Sequence, residues 1–319
     1  MIASVTIAPL RDDLDELSPA AWERLEGVSP MHRTLLLAHG AALENEQLVV
    51  AARDASGEVL GLALCTVVDD RIGRAGMITY WVDPDKGLLF ARGVDASAVC
   101  VALIAKLMEH GRAAGWRKLV LAYFATTNQP VLAAAQQLRF RTMAGTPSYE
   151  LCVTGSTFEE YLQTRPKKQR YNLRRDERLL AEAGCSVVID AAPSATWLAR
   201  CWPLHVEQLA RRGDPRRFRA NYLVELLERS PPGSLSLCRA MRGEELVGFS
   251  LTLRWGRDSL CLCSGQTEER VIYVGLNAHE LREELDRGAQ RIAYGAFNDA
   301  NKLRIGCTAQ QSRYAFVAL

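Results

Sequence analysis

Apolar residues recur along the chain at two spacings, and the switches between them predict its elements. Trp22 and Leu25 follow Ser18 and Pro19, a capped helix start for residues 18–26, and a second helix is expected over 30–43. Gln47–Arg53 and Val59–Val68 alternate or run apolar on either side of Asp54-Ala-Ser-Gly57, the pattern of a β-hairpin. Met77–Val82 reads as a short strand. Val101, Ile104, Leu107 and Met108 repeat at helical spacing within 97–114, and Gly111 and Gly115 close that helix. The apolar run Lys118–Phe124 predicts a buried strand. Asn128–Leu138 follows as a helix with Pro130 in its first turn, and Ser148–Val153 is the strand expected to end this half.

The second half repeats the order. A helix over Thr157–Gln163 leads into a segment, Arg165–Arg178, with seven basic and two acidic side chains, which continues helically to Gly184. Cys185–Ile189 reads as a strand, and helices over 195–211 and 217–228 flank the basic run Arg211–Arg217. Ser234–Arg239, Leu246–Arg254 and Ser259–Ser264 form a meander with turns at Arg242-Gly243 and Gly256–Asp258. A helix over Val271–Arg287, a buried strand Arg291–Tyr294, a short helix Ala300–Ile305 and a strand Arg313–Val317 complete the chain. Residues 113–121 and 286–294 both read as helix, glycine stop, basic residue and buried strand. The pattern predicts a tandem structural repeat with domains at 1–154 and 155–319.

Composition narrows the class. The chain has 319 residues, 48% hydrophobic and 24% charged, so each half is long enough for a core of its own. A net charge of +2 provides no broad surface for DNA, and anion binding has to rest on local basic clusters. Nine cysteines without a CxxC pair and five scattered histidines give no metal-ligand spacing, so no metal is expected and the thiols read as buried and reduced. The N-terminus lacks the basic and apolar regions of a signal peptide, and no apolar stretch is long enough to span a bilayer. A cytoplasmic protein without membrane association is the expectation.

Three stretches carry a family resemblance. They are Arg165–Arg175 running to Glu182-Ala-Gly184, Tyr273–Glu280 running through Arg287-Gly288, and Tyr294-Gly-Ala-Phe followed by Asn301-Lys-Leu-Arg-Ile-Gly306. In this order they resemble the GNAT N-acyltransferases, and more narrowly the FemAB and BioF2-like branch, whose members carry two GNAT-like halves. The first half is similar through Gly115–Leu121, Asn128 and Leu138-Arg-Phe140. Neither Ala91–Ser97 nor Thr267–Tyr273 carries the usual GNAT pyrophosphate loop, which the FemAB branch often lacks. The resemblance implies an α/β (α+β) tandem fold with two mixed central sheets, each flanked by helices. It also implies transfer of an acyl or aminoacyl group from an activated carrier, acyl-CoA or another acyl thioester, to an amine on a small molecule or peptide. Two alternatives stand beside it: a Fem-type ligase that draws on aminoacyl-tRNA, and a non-catalytic scaffold that binds a metabolite or an acyl-carrier protein.

Acyl transfer to an amine needs a proton acceptor, a stabilised oxyanion and a hold on the donor's phosphates. Arg270 and the start of the helix at 271 offer an anion site. Tyr273, Asn277 and Glu280 fall on one helix face, with Glu280 as base or as partner of the acceptor ammonium and Asn277 on the donor. The lysine of the closing segment sits at the active site in Fem-type enzymes, so the resemblance makes Lys302 the first catalytic candidate, for the oxyanion or a donor phosphate. Tyr294 stands at the end of the buried strand and Arg304 beside Lys302. Lys168 and Arg170 in the basic segment are donor-binding candidates. His205 and Gln208, on one helix, are candidates for the acceptor. Cys263 and Ser264 have no histidine beside them in sequence and are not expected as nucleophiles. In the first half Tyr123 and Asn128 occupy the matching strand end without a base, and that half reads as architectural.

Overall fold

The computed structural model describes the chain apart from residues 12–13, 27–29, 71–72, 79–86, 154, 156, 213–217, 268 and 297–298. In chain order it runs β1 (Ser4–Pro9), α1 (Pro19–Glu23), α2 (Pro30–Ala42), β2 (Gln47–Arg53), β3 (Val59–Asp70), β4 (Gly73–Ile78), β5 (Leu88–Phe90), α3 (Ala96–Ala113), β6 (Lys118–Ala125), α4 (Gln129–Gln137) and β7 (Arg141–Ala144). Then follow β8 (Ser148–Cys152), α5 (Phe158–Gln163), α6 (Lys167–Glu182), β9 (Ser186–Asp190), α7 (Ala195–Arg212), α8 (Tyr222–Arg229), β10 (Leu235–Arg242), β11 (Glu245–Trp255) and β12 (Asp258–Gln266). The chain closes with α9 (Arg270–Asp286), β13 (Arg291–Ala296), α10 (Asp299–Arg304), β14 (Thr308–Gln310) and β15 (Ser312–Ala318).

Two compact units form. The first comprises Met1–Pro147, Pro215–Arg229 and Gln311–Leu319, and the second Ser148–Asp214 and Ser230–Gln310. The first sheet has the order β1-β2-β3-β4-β6-β15-β7, with β5 also paired to β3; the second runs β14-β8-β13-β12-β11-β10-β9. Both are mixed. β4 and β6 are parallel in the first, β12 and β13 in the second, and every other pairing is antiparallel.

The expected cut after residue 154 gives way to an exchange of last strands. β8, expected to end the first half, pairs with β13 in the second sheet. β15, expected to end the second, pairs with β6 and β7 in the first. Both strands are short and their partners lie far away in sequence, so local pattern leaves the choice of partner open. The helix expected from 217 starts at Tyr222 and belongs to the first unit. The strand expected at Met77–Val82 begins at Gly73, and its part beyond Ile78 lies outside the described residues.

In the first unit α3 starts at Asp95, whose carboxylate accepts from the Ala98 amide at 3.1 Å. It buries Leu103, Ile104 and Leu107 together with Leu119 and Leu121 of β6. Each such side chain contributes about 1.5–3 kcal/mol. In the second unit α9 takes the place of α3. Leu281 and Leu285 pack with Ile292, Phe158 and Tyr161, while Ile272 and Leu276 pack with Leu180 of α6.

Candidate active site of the second unit

The parallel pair at the centre of the second sheet is short. β12 and β13 pair only over Asp258–Leu260 with Arg291–Ala293, although β12 continues to Gln266 and β13 to Ala296. Beyond Leu260 the two strands diverge. A register shift against β11, between Leu251 and Thr252, marks the point on β12 where this happens. A second, between Ala293 and Gly295 against β8, marks it on β13.

Side chains from α7 line the diverging half of β12. The Nδ1–H of His205 donates to the Ser264 carbonyl at 3.1 Å; a carbonyl only accepts, so the neutral ring carries its lone pair on Nε2. Gln208 Nε2 donates to Ser264 Oγ at 3.0 Å, and Arg211 donates to the Gln266 carbonyl at 2.7 Å. The Oε1 of Gln208 is buried with no hydrogen-bond partner among the described residues. The approach is close because β12 has Gly265 there: a Cβ would lie 2.6 Å from the Leu204 carbonyl carbon and 2.7 Å from the His205 nitrogen. His205 and Gln208, which the sequence placed on one helix, thus meet at Ser264, a residue singled out only to be set aside as a nucleophile.

Beneath the divergence lies a buried polar row. Glu280, 3% exposed, accepts from Ser250 (2.8 Å), Thr252 (2.6 Å) and the Cys261 thiol (2.7 Å). Burial pushes its carboxyl above the usual range, and the three donors oppose that shift. One turn on, Glu284 accepts from Arg254 Nε at 2.8 and 3.0 Å and from Ser259. Sequence reasoning missed Glu284, Arg254 and Asp176. The signal was present: Ser250, Thr252 and Arg254 alternate along an apolar strand, and Glu280 and Glu284 stand four apart on a helix.

Tyr294 is buried on β13, and its hydroxyl has no hydrogen-bond partner among the described residues. Burial holds its pKa well above that of an ordinary phenol, with Cys261 and Glu280 near enough to add to the effect. It therefore stays protonated at neutral pH and does not serve as a base.

The other candidate residues have the following surroundings. Lys302 is 5% exposed and gives its ammonium to the carbonyls of Tyr294 (2.7 Å), Gly295 (2.8 Å) and Ala296 (2.7 Å), so it serves the main chain where an oxyanion role was expected. Arg304 forms a two-point ion pair with the buried Asp176. The Nδ2 of Asn277 donates back to the Tyr273 carbonyl at 2.8 Å, and Glu280 turns into the interior, so Tyr273, Asn277 and Glu280 do not line one cleft. Arg170 donates to the Arg165 carbonyl at 2.7 Å, and Lys168 is exposed. Arg270 is exposed as the first residue of α9, preceded by Glu269, which pairs with Arg242 at 2.8 and 2.9 Å. Two acids of α6 face inward, Asp176 to Arg304 and Glu177 to Arg282, while the exposed Arg174 and Arg178 pair with Glu159 and Glu182. Most of the second basic run, residues 213–217, lies outside the described residues. Among the described residues no His, Cys, Asp and Glu cluster could hold a metal, and no helix is long and apolar enough to cross a membrane.

Comparison with known proteins bears on the fold. Residues 167–278, from the first turn of α6 into α9, match the model of the acetyltransferase (GNAT) domain. Among solved structures, a tandem GNAT protein from the clavulanic acid biosynthesis pathway superposes with a TM-score of 0.57 at 15% identity, over 99% of this chain and 98% of that one. L-PGS from Bacillus licheniformis gives 0.56 at 12%, over 95% and 91%. FemX gives 0.53 at 13%, over 85% and 88%. No curated protein sequence matches the chain. At these identities the structures speak for the fold. The chain therefore has a tandem GNAT-like fold, with a match to the acetyltransferase (GNAT) domain over residues 167–278 of its second half, and its fold is similar to that of FemX.

Proposed function

We propose that the protein is a cytoplasmic N-acyltransferase that moves an acyl group from an acyl thioester, acyl-CoA in the first instance, to an amine on a small molecule or peptide. The divergence of β12 from β13 beyond Leu260, with His205 and Gln208 gathered on Ser264 at its edge, is the observation that carries this reading. Diverging parallel strands offer main-chain groups to an extended thioester arm. The donor's phosphates lie towards the start of α9, where the first-turn amides and Arg270 favour an anion. The Oε1 of Gln208 accepts an N–H of the acceptor amine, and Nε2 of His205 takes its proton. The amine nitrogen attacks the thioester carbonyl, the C–N bond forms and the C–S bond breaks. The departing thiolate takes up the proton that His205 has accepted, so the charges balance at the end of the step. Glu280, engaged by three side chains, supports the strand at its register shift rather than acting as the base.

A second reading, transfer from aminoacyl-tRNA, draws on the exposed Lys167 and Lys168 at the start of α6. Thermal unfolding with acetyl- and longer acyl-CoAs and with charged tRNA separates the two. At a hundredfold excess over Kd, a bound thioester stabilises the native state by about 2.7 kcal/mol, and the His205→Ala variant is expected to keep that shift while losing turnover. Stabilisation by charged tRNA alone would overturn the thioester reading.

A further inference from the structure

We propose that Lys302 is a positioning residue: it holds the end of β13 bent away from β12, and thereby shapes the slot for the donor, without touching the reacting carbonyl. The donor half of this inference rests on the acyl-thioester reading above.

The geometry of three consecutive carbonyls carries the argument. Along an extended strand successive carbonyls point to opposite sides, so those of three neighbouring residues cannot converge on one atom. Here the carbonyls of Tyr294, Gly295 and Ala296 all accept from Nζ of Lys302, at 2.7, 2.8 and 2.7 Å. Convergence requires the backbone to leave the strand path, and it does so at Gly295, whose φ is +63°. The register shift between Ala293 and Gly295 against β8 is the same event seen from the neighbouring strand. An ammonium has three N–H donors, and three carbonyls take them. Below it lies the ring of Tyr149, 5.4 Å from Nζ, so a point charge on a flexible stem is seated from both sides. The bend falls on the last residues of β13, where β12 and β13 no longer pair. Without the ammonium, these carbonyls would turn to other donors, and the adjacent strand is the stretch of β12 that no longer pairs with β13.

Two substitutions and one measurement on the unaltered protein test this. Lys302→Met keeps the stem and removes the donors. It is expected to weaken binding of free coenzyme A about tenfold or more and raise the thioester KM in step, while kcat at saturating donor falls less than about fivefold. Lys302→Arg keeps the charge, but a planar fork cannot serve three converging carbonyls, so it should resemble Lys302→Met. Coenzyme A binding unchanged in Lys302→Met with kcat down about a hundredfold, or full rescue by arginine, would overturn the proposal. If both variants fold poorly, reductive methylation of the wild-type protein decides it. Lys302 should stay unmodified with or without coenzyme A while Lys167 and Lys168 react. A Lys302 that reacts in the free protein and is shielded by coenzyme A would make it a donor-contacting residue. Failure of the wild type to bind coenzyme A removes the thioester reading and the donor slot together; equal binding by the wild type and Lys302→Met removes only the clamp.

Discussion

The two units share a strand order and differ in what they bury. Among the described residues the first unit buries His32, Thr66 and Ser312 as its polar side chains, and all its other buried side chains are apolar. The second buries Asp176, Arg239, Glu280, Glu284 and Lys302, besides His205, Gln208 and a set of serines and threonines. A buried charge carries a desolvation cost that a leucine in the same volume would avoid. One sheet order therefore supports both an interior built for cohesion and one that accepts a cost at the divergence of its central strands. Departures from local rules of this kind concentrate at functional sites, so the contrast itself directs attention to the second unit.

The sharpest way to break that contrast is to leave a charge alone in the second interior. Arg254→Met removes the charged partner of Glu284 and leaves it only Ser259, and urea unfolding should show a loss of about 3–5 kcal/mol, whereas the paired change Arg254→Met with Glu284→Leu should recover most of it. A loss below about 1 kcal/mol for the single change would mean that Glu284 tolerates isolation, and that the charges of this interior matter little to its cohesion. The matching cut in the first unit is Leu103→Ala, at the centre of its apolar core. It should lose about 2–5 kcal/mol and leave coenzyme A affinity unchanged at temperatures where the variant is folded. Weakened affinity in that variant would make the first unit more than a support.

A subtler difference lies in pH. Burial raises the Glu280 carboxyl above its ordinary value, so between that value and the raised one the folded protein holds a proton that the unfolded chain releases. Its contribution to stability is full below the unfolded pKa and declines as pH rises through the folded one. Glu280→Gln cannot titrate. The variant should be weakest relative to wild type in acid, where it lacks one oxygen acceptor for Ser250, Thr252 and Cys261, and the gap should narrow as pH rises towards neutrality. Unfolding free energies of both proteins across this range give the difference directly, and a flat difference would mean that burial does not perturb Glu280.

Most of the elements were legible in the chain. The hairpin at Asp54–Gly57, the meander of β10 to β12 and the helix–strand crossover of α9 into β13 all follow from spacing and turn residues, because each is a local pattern. The exchange of β8 and β15 is not local: each is a short strand, and the choice of sheet depends on packing between segments distant in sequence. The site divides in the same way. His205 and Gln208 could be named as a helical pair, but Ser264, 59 residues beyond His205, could not be joined to them without the packing at Gly265. Lys302, Arg304 and Glu280 were recognisable as charged residues in an unusual place. Nothing in the order of residues signals that Lys302 meets main-chain carbonyls or that Arg304 meets Asp176, whereas the row around Glu280 was foreshadowed by the alternation of Ser250 and Thr252.

The smallest expected effect concerns the basic segment that leads into α6, and it separates a patch that resembles a nucleic-acid surface from one that works as such. Of its seven basic residues, Arg165 lies over the Tyr161 ring, Arg170 donates to a carbonyl, Arg174 and Arg178 pair with Glu159 and Glu182, and Arg175 lies over Tyr171. Lys167 and Lys168 are exposed to solvent in the first turn of the helix. The double change Lys167→Ala, Lys168→Ala should therefore alter stability by less than about 0.5 kcal/mol and coenzyme A affinity by less than about twofold. If α6 instead held a tRNA, each lysine–phosphate pair removed would lower the slope of log K against log salt by about 0.7–0.9, and the double variant would bind charged tRNA with a measurably shallower salt dependence than wild type. That result would shift the reading of the second unit from a thioester site to a ligase site, without touching the argument for the divergent strands. An unchanged slope would leave α6 as a helix whose charges chiefly hold its own unit together.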